Sequence, residues 1–173
     1  MKLVTLTDVT AYRMHAPKWA VAPTSGAGAG KHGGRANRPG IDAIYLALET
    51  QTAINEYQQT STLLPPGTLT SYKLSAAPVV DFTGGYSASV WEPIWEDFYC
   101  DWRELWFNQG VEPPSWIAAD LALAAGAKGI LFSSRLAAGG TNLVLFNSSL
   151  VAPDFLDVYD PGNALPQNQA SWS

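Results

Sequence analysis

The sequence is poor in the residues that disulfide frameworks, metal sites and membrane spans require. Its single cysteine, Cys100, excludes an internal disulfide framework. The two histidines, His15 and His32, lack the paired spacing of a zinc site, so no metal is expected. No serine stands in the nucleophile-elbow context of a Ser–His hydrolase. No apolar run reaches the ~20 clean residues of a membrane span. The most apolar window, Trp116 to Phe132, is broken by Asp120 and Lys128. The N-terminal apolar run is too short for a secretory signal, and Asp8 follows at once. A cytoplasmic protein without membrane contact is the expectation.

What is present suits one globular unit. A chain of 173 residues, 47% hydrophobic and 14% charged, can enclose a substantial core and is not of disordered composition. A net charge of −5 disfavours direct nucleic-acid binding. The distribution is uneven. Residues 1–40 hold Lys2, Arg13, Lys18, Lys31, Arg35 and Arg38 against Asp8 alone, a local +5, and the remainder sums to −10. Cations gathered in one quarter of an acidic chain point to a local anion site. Lys2, Lys31 and Arg38 read as ordinary solvated charges. Arg13 and Arg35, next to apolar or glycine-bounded segments, read as the anion ligands.

The pattern along the chain predicts an α+β domain. Val4 to Met14 alternates as a strand or hairpin, and Ala43 to Leu48 is a short apolar strand. Pro23 to Gly34 reads as loop. Thr50 is a plausible N-cap for a helix to about Gln59, and Leu69 to Leu74 forms a second alternating strand. Apolar residues at 91, 95, 98, 102, 105 and 106 have helical spacing. A capped helix from Trp116 to Ala125 follows, with Ser115 as its cap and Gly126 as its stop. Gly129–Phe132 and Asn142–Phe146 read as strands, and the tail from Asp160 as loosely held.

Gly28-Ala29-Gly30-Lys31-His32-Gly33 fits the dinucleotide pattern G-x-G-x-x-G literally, but no strand precedes it and a turn follows, so the fingerprint is rejected. The phosphate-loop pattern fails too, because His32 follows Lys31. Seven tryptophans raise the reading of a carbohydrate-binding face, but four of them keep helical register and read as core. Cys100 reads as a packed residue.

Residues 33 to 56 carry more chemistry. Gly33, Gly34 and Gly40 let the backbone curl around Arg35, and Asn37 can pin that curl. A guanidinium held this way matches phosphate geometry bidentately. Tyr45 faces opposite to Ile44 and Leu46 on its strand; alone it reads as a half-buried core aromatic rather than a ligand platform. Glu56, alone, reads as an exposed helix acid. Together they supply a fixed cation, an aromatic plate and one carboxylate.

In this order the residues resemble the RES-domain family of bacterial toxins, named for an arginine, a glutamate and a serine. The resemblance runs through Tyr12-Arg13, Gly33-Gly34-Arg35 with Asn37 and Gly40, Tyr45 and Glu56. It continues through Gly129 to Ser134, then Gly139-Gly140-Thr141-Asn142 to Phe146. Ala36 stands where the family often has an aromatic residue, and Ser133 where it often has proline. The family serine is matched to Ser134, which keeps the spacing from Gly129, with Ser133 as the fallback.

The resemblance implies a single domain over residues 1–173 with a fold like that of ADP-ribosyltransferases, and NAD⁺ as substrate. It also implies the role of toxin beside an antitoxin that carries a helix-turn-helix DNA-binding part. Arg35 and Arg13 would bind the pyrophosphate and its neighbouring ribose, with the Tyr45 ring against nicotinamide or that ribose. Glu56 would orient a ribose hydroxyl, and Ser134 would hydrogen-bond nicotinamide or ribose. Lys18 and Asn142 are further candidates. The acceptor of ADP-ribose would be water, phosphate or a protein. A reading from a different class also fits the residues: a non-catalytic binding module whose basic N-terminal quarter holds an anionic partner.

Overall fold

The computed structural model describes residues 1–170. Strand β1 (Leu3–His15) and strand β3 (Thr68–Asp81) pair antiparallel along almost their whole length. In β3 the residues Thr70, Tyr72, Leu74 and Ala76 are buried while their neighbours are more exposed, the period-2 signature of a strand with one face inward. The free edge of β1 meets β2 (Ala43–Ala47) at Tyr12–Ala47. The order continues through β5 (Thr141–Phe146) to β4 (Gly129–Ser133), and β4 returns parallel to β3 at Val79–Asp81. The sheet thus closes on itself as a small twisted barrel, with β6 (Phe155–Val158) attached outside β3.

Closure explains why β2, β4 and β5 carry the apolar runs Ala43–Ala47, Ile130–Phe132 and Leu143–Phe146 rather than alternating with polar residues. Successive side chains enter two different cores. Ile44, Leu46, Leu131, Leu143 and Leu145 join Tyr72, Leu74 and Val79 in one. Ala43, Ile130, Phe132, Val144 and Phe146 face the other, where α3 (Pro114–Ala124) and an aromatic segment cover the sheet.

The α+β expectation holds, and several elements differ in detail. Residues 91–107 do not form one amphipathic helix. A 3₁₀ turn (Pro93–Asp97) and a π turn (Glu104–Asn108) replace it. Trp91, Trp95 and Phe98 all pack on Phe82, with ring centroids 4.9 to 5.1 Å away. Three ring contacts with one central ring outweigh the regular helix that the spacing predicts, and Asp101 restarts the chain by accepting the Glu104 N–H. Inside the expected loop 23–34 lies a short helix, α1 (Ala27–His32), in which Gly30 packs against Asp42, leaving no room for a Cβ.

Helix α2 (Thr50–Gln58) is preceded by Glu49 rather than capped by Thr50. Ser115 is buried within the first turn of α3, and Pro113 takes the cap position. Strand β1 is one strand with bulges, not a hairpin, and β3 runs well past Leu74. From Asp160 to residue 170 the tail is tied down: the Asp160 carboxylate accepts the N–H groups of Ala164 and Leu165, and Gln169 reaches the Lys18 carbonyl. The last residues of that tail, 171–173, lie outside the described residues.

Candidate active site

Gly33 and Gly34 enter the curl between α1 and β2. Gly33 has φ +81°, in the left-handed region that favours glycine. A Cβ on Gly34 would fall 2.4 Å from the Tyr45 hydroxyl, so only glycine lets that phenol approach. Asn37 is buried, and its Nδ2 donates to the carbonyls of Ala29, Arg38 and Ile41. Tyr45 donates to Asn37 Oδ1 at 2.7 Å and accepts the Ala36 N–H at 2.9 Å. Burial pushes the Tyr45 phenol well above its ordinary range, so it stays neutral. Trp116 Nε1 donates to the Gly34 carbonyl at 2.6 Å.

This locked curl projects Arg35, whose Nη1 donates to the carbonyls of Phe98 and Cys100 at 3.2 and 3.0 Å. Burial depresses its affinity for the proton, though a guanidinium remains charged. Arg13, near the end of β1, reaches the Ser25 carbonyl at 3.5 Å and is likewise depressed by burial, while Tyr72 opposes that effect.

Glu56 lies on α2, facing β5 and the loop after β4. Its Oε1 accepts from Ser134 Oγ at 2.8 Å and from Asn142 Nδ2 at 2.6 Å. Oε2 has no partner among the described residues. Ser134 Oγ in turn accepts the backbone N–H groups of Leu136 and Ala137. Its proton and its lone pairs are therefore all engaged within the chain, with the proton directed at Glu56. Ser133, the fallback for the family serine, lines the same cleft as Glu56, and its hydroxyl donates to the Thr83 carbonyl.

A cleft of about 490 Å³ is lined by Arg13, Arg35, Tyr45, Glu56 and Asn142, a volume within the range of small-molecule sites. Ser134 is not among its lining residues but is joined to it through Glu56. Lys18 lies outside, beside the ring of Trp19. Arg38 is an ordinary surface charge, paired with Glu112 and Asp120. Arg103, Arg135, Tyr99 and Trp102 also line the cleft and were not reached from sequence, because they belong to the segment read as a plain helix and to a loop. Four of the five arginines thus surround one carboxylate.

A closed sheet with flanking helices thus carries a cleft lined by four arginines and, among the described residues, a single carboxylate. The RES domain model matches residues 10–167, and the chain belongs to the RES domain family. None of the curated proteins matches it. Among solved structures, the toxin–antitoxin complex MbcT–MbcA of M. tuberculosis is similar, with a TM-score of 0.59. That match covers 91% of this chain and 85% of the other at 22% identity, and establishes likeness of fold.

Proposed function

We propose that this chain is a toxin that cleaves NAD⁺ at the nicotinamide–ribose bond and is held inactive by an antitoxin carrying a helix-turn-helix DNA-binding part. The observation that carries the reading is Glu56. It is held by two donors on one oxygen, its other oxygen has no partner among the described residues, and among those residues it is the only carboxylate lining a cleft with four arginines. Membership of the RES family and a fold like that of a toxin crystallised with its antitoxin support the biological setting.

In this reading Arg35 and Arg13 bind the diphosphate and its neighbouring ribose, and the Tyr45 ring packs against nicotinamide or that ribose. The C–N bond breaks, and nicotinamide leaves with the bonding electrons as a neutral molecule. Positive charge develops on the ribose, as in glycoside cleavage generally. Glu56 Oε2 accepts a hydrogen bond from a ribose hydroxyl and supplies negative charge beside that centre. Such preorganised stabilisation contributes roughly 3–4 kcal/mol, about 10²–10³ in rate. ADP-ribose then passes to water, phosphate or a protein side chain.

The deciding experiment incubates purified protein and Glu56→Gln with NAD⁺ and a cell lysate, and follows where ADP-ribose goes. A loss of ~10²-fold or more in NAD⁺ turnover is expected. A non-catalytic anion-binding module would use the arginines but has no task for Glu56, so turnover-independent function retained by Glu56→Gln would select it. Expression without the antitoxin should arrest host growth, and Glu56→Gln should relieve the arrest.

A further inference from the structure

Arg135 follows Ser134 directly and extends into the cleft. Its Nη1 donates to the Tyr99 carbonyl at 3.0 Å, and its guanidinium carbon lies 5.8 Å from the centre of the Tyr99 ring. Arg35 comes to the same turn from a segment remote in sequence. Its Nη1 donates to the carbonyls on either side, those of Phe98 and Cys100, and its guanidinium carbon lies 5.7 Å from the same ring. Three consecutive carbonyls therefore fix two guanidinium groups on one aromatic plate, and the plate is itself fixed by the Tyr99 hydroxyl donating to the Ser133 carbonyl.

No carboxylate among the described residues forms an ion pair with either group. The ion pairs among the described residues involve Lys2, Arg38, Lys73 and Lys128. Burial, with Arg135 as a further contributor, depresses the proton affinity of Arg35. Two unneutralised like charges are unfavourable together unless an anion joins them. Pinning the 98–100 turn commits only Nη1 of each guanidinium. The Nε–Nη2 edges have no partner among the described residues, and that edge is a fork that matches a phosphoryl group. Arg13 belongs to a different corner, beside Ser25 and Tyr72.

We infer that Arg135 is a second phosphate-binding residue and that, paired with Arg35 across Tyr99, it selects ligands carrying a diphosphate over those carrying one phosphate. This rests on the NAD⁺ reading for its place in a reaction. It identifies the group that would make a dinucleotide, rather than nicotinamide mononucleotide, the substrate.

Calorimetric titration with ADP and AMP tests it without requiring turnover. Wild-type protein should bind ADP about 10- to 100-fold more tightly than AMP, the range of one charge-assisted hydrogen-bonding group. Arg135→Gln should abolish that preference by weakening ADP and leaving AMP unchanged. Arg135→Lys, with charge but no fork, should fall between, and Lys73→Gln, remote from the cleft, should match wild type. Equal affinities for ADP and AMP in the wild type overturn the inference, whether or not the variants fold. A folded Arg135→Gln that keeps the preference overturns it too. An Arg135-dependent ADP preference without NAD⁺ turnover would sustain it while removing the enzymatic reading above.

Discussion

At the scale of single residues, the cleft separates groups that act from groups that hold. Ser134 gives its hydroxyl proton to Glu56 and takes two backbone N–H groups, and Asn142 gives a second donor to the same oxygen. Ser134→Ala leaves that carboxylate oxygen under-satisfied and free to rotate. It should lower kcat for NAD⁺ about 10- to 100-fold, with KM changed far less, because the loss is one hydrogen bond to the charged Glu56 from a residue that does not itself line the cleft. A large rise in KM with kcat intact would instead assign Ser134 to ligand binding. His15 offers a different test. Its Nε2 lies 2.7 Å from the Tyr72 hydroxyl, whose proton goes to the Pro23 carbonyl, so Nε2 is the donor. Burial first, then Arg13, lower its pKa to about 4. The folded state therefore binds fewer protons than the unfolded state between about pH 6.5 and 4. Stability is full above that window, falls as pH drops through it, and levels off below, an effect on the order of 3 kcal/mol. Denaturant unfolding of wild type and His15→Gln at pH 7 and 4.5 checks it. The variant should show a shallower pH slope, whatever its absolute stability.

At the scale of elements, α2 is clamped to β5 and the loop before it by carboxylates at both ends. Glu49 accepts from Thr52 Oγ1 and from the Thr141 N–H, while Glu56 holds Ser134 and Asn142. The position of Glu56 is therefore a property of this junction, not of the helix alone. The curl carrying Arg35 is equally dependent on one close approach. Gly34→Ala would place a Cβ 2.4 Å from the Tyr45 hydroxyl and 2.6 Å from Asn37 Oδ1, whereas a Cβ at Gly28 meets nothing within 4 Å. The first substitution should destabilise the protein by about 1–3 kcal/mol, the range for overpacking a filled site, and the second should not. Thermal unfolding of the two variants distinguishes them. The aromatic segment is the third device of this kind. Trp95 is fully buried and stacks with Phe98, whose carbonyl holds Arg35. Trp95→Ala should cost about 3–5 kcal/mol, and loosening of the turn should weaken diphosphate binding as well.

For the whole molecule, the charge pattern read from the sequence acquires a shape. A protein of net charge −5 keeps four arginines in one cleft without an ion pair among the described residues, while Lys2, Arg38, Lys73 and Lys128 are paired. Attraction for a polyanion should then be local and weakened by salt. Raising sodium chloride from about 50 to 500 mM should reduce ADP affinity several-fold. Affinity insensitive to salt would place the binding energy in apolar contacts instead.

The α+β class, strands β2, β4 and β5 and helices α2 and α3 were legible because each follows from local periodicity and turn chemistry. So was the set Arg13, Arg35, Tyr45, Glu56 and Asn142, which lines one cleft. What stayed hidden depends on contacts between distant segments. The aromatic spacing of 91 to 106 meant a helix only until Phe82 drew three of its rings inward. Ser134 looked free for a ligand until α2 brought Glu56 against it. Arg135 had no meaning until the turn at 98–100 arrived beside it with Arg35. The sequence by itself determined which groups were available and on which elements they stood, since propensity and pattern act over a few residues. Only closure of the sheet decided which group faces the cleft and which is consumed in holding another, because hydrogen bonds and ring contacts across the fold are settled by who meets whom.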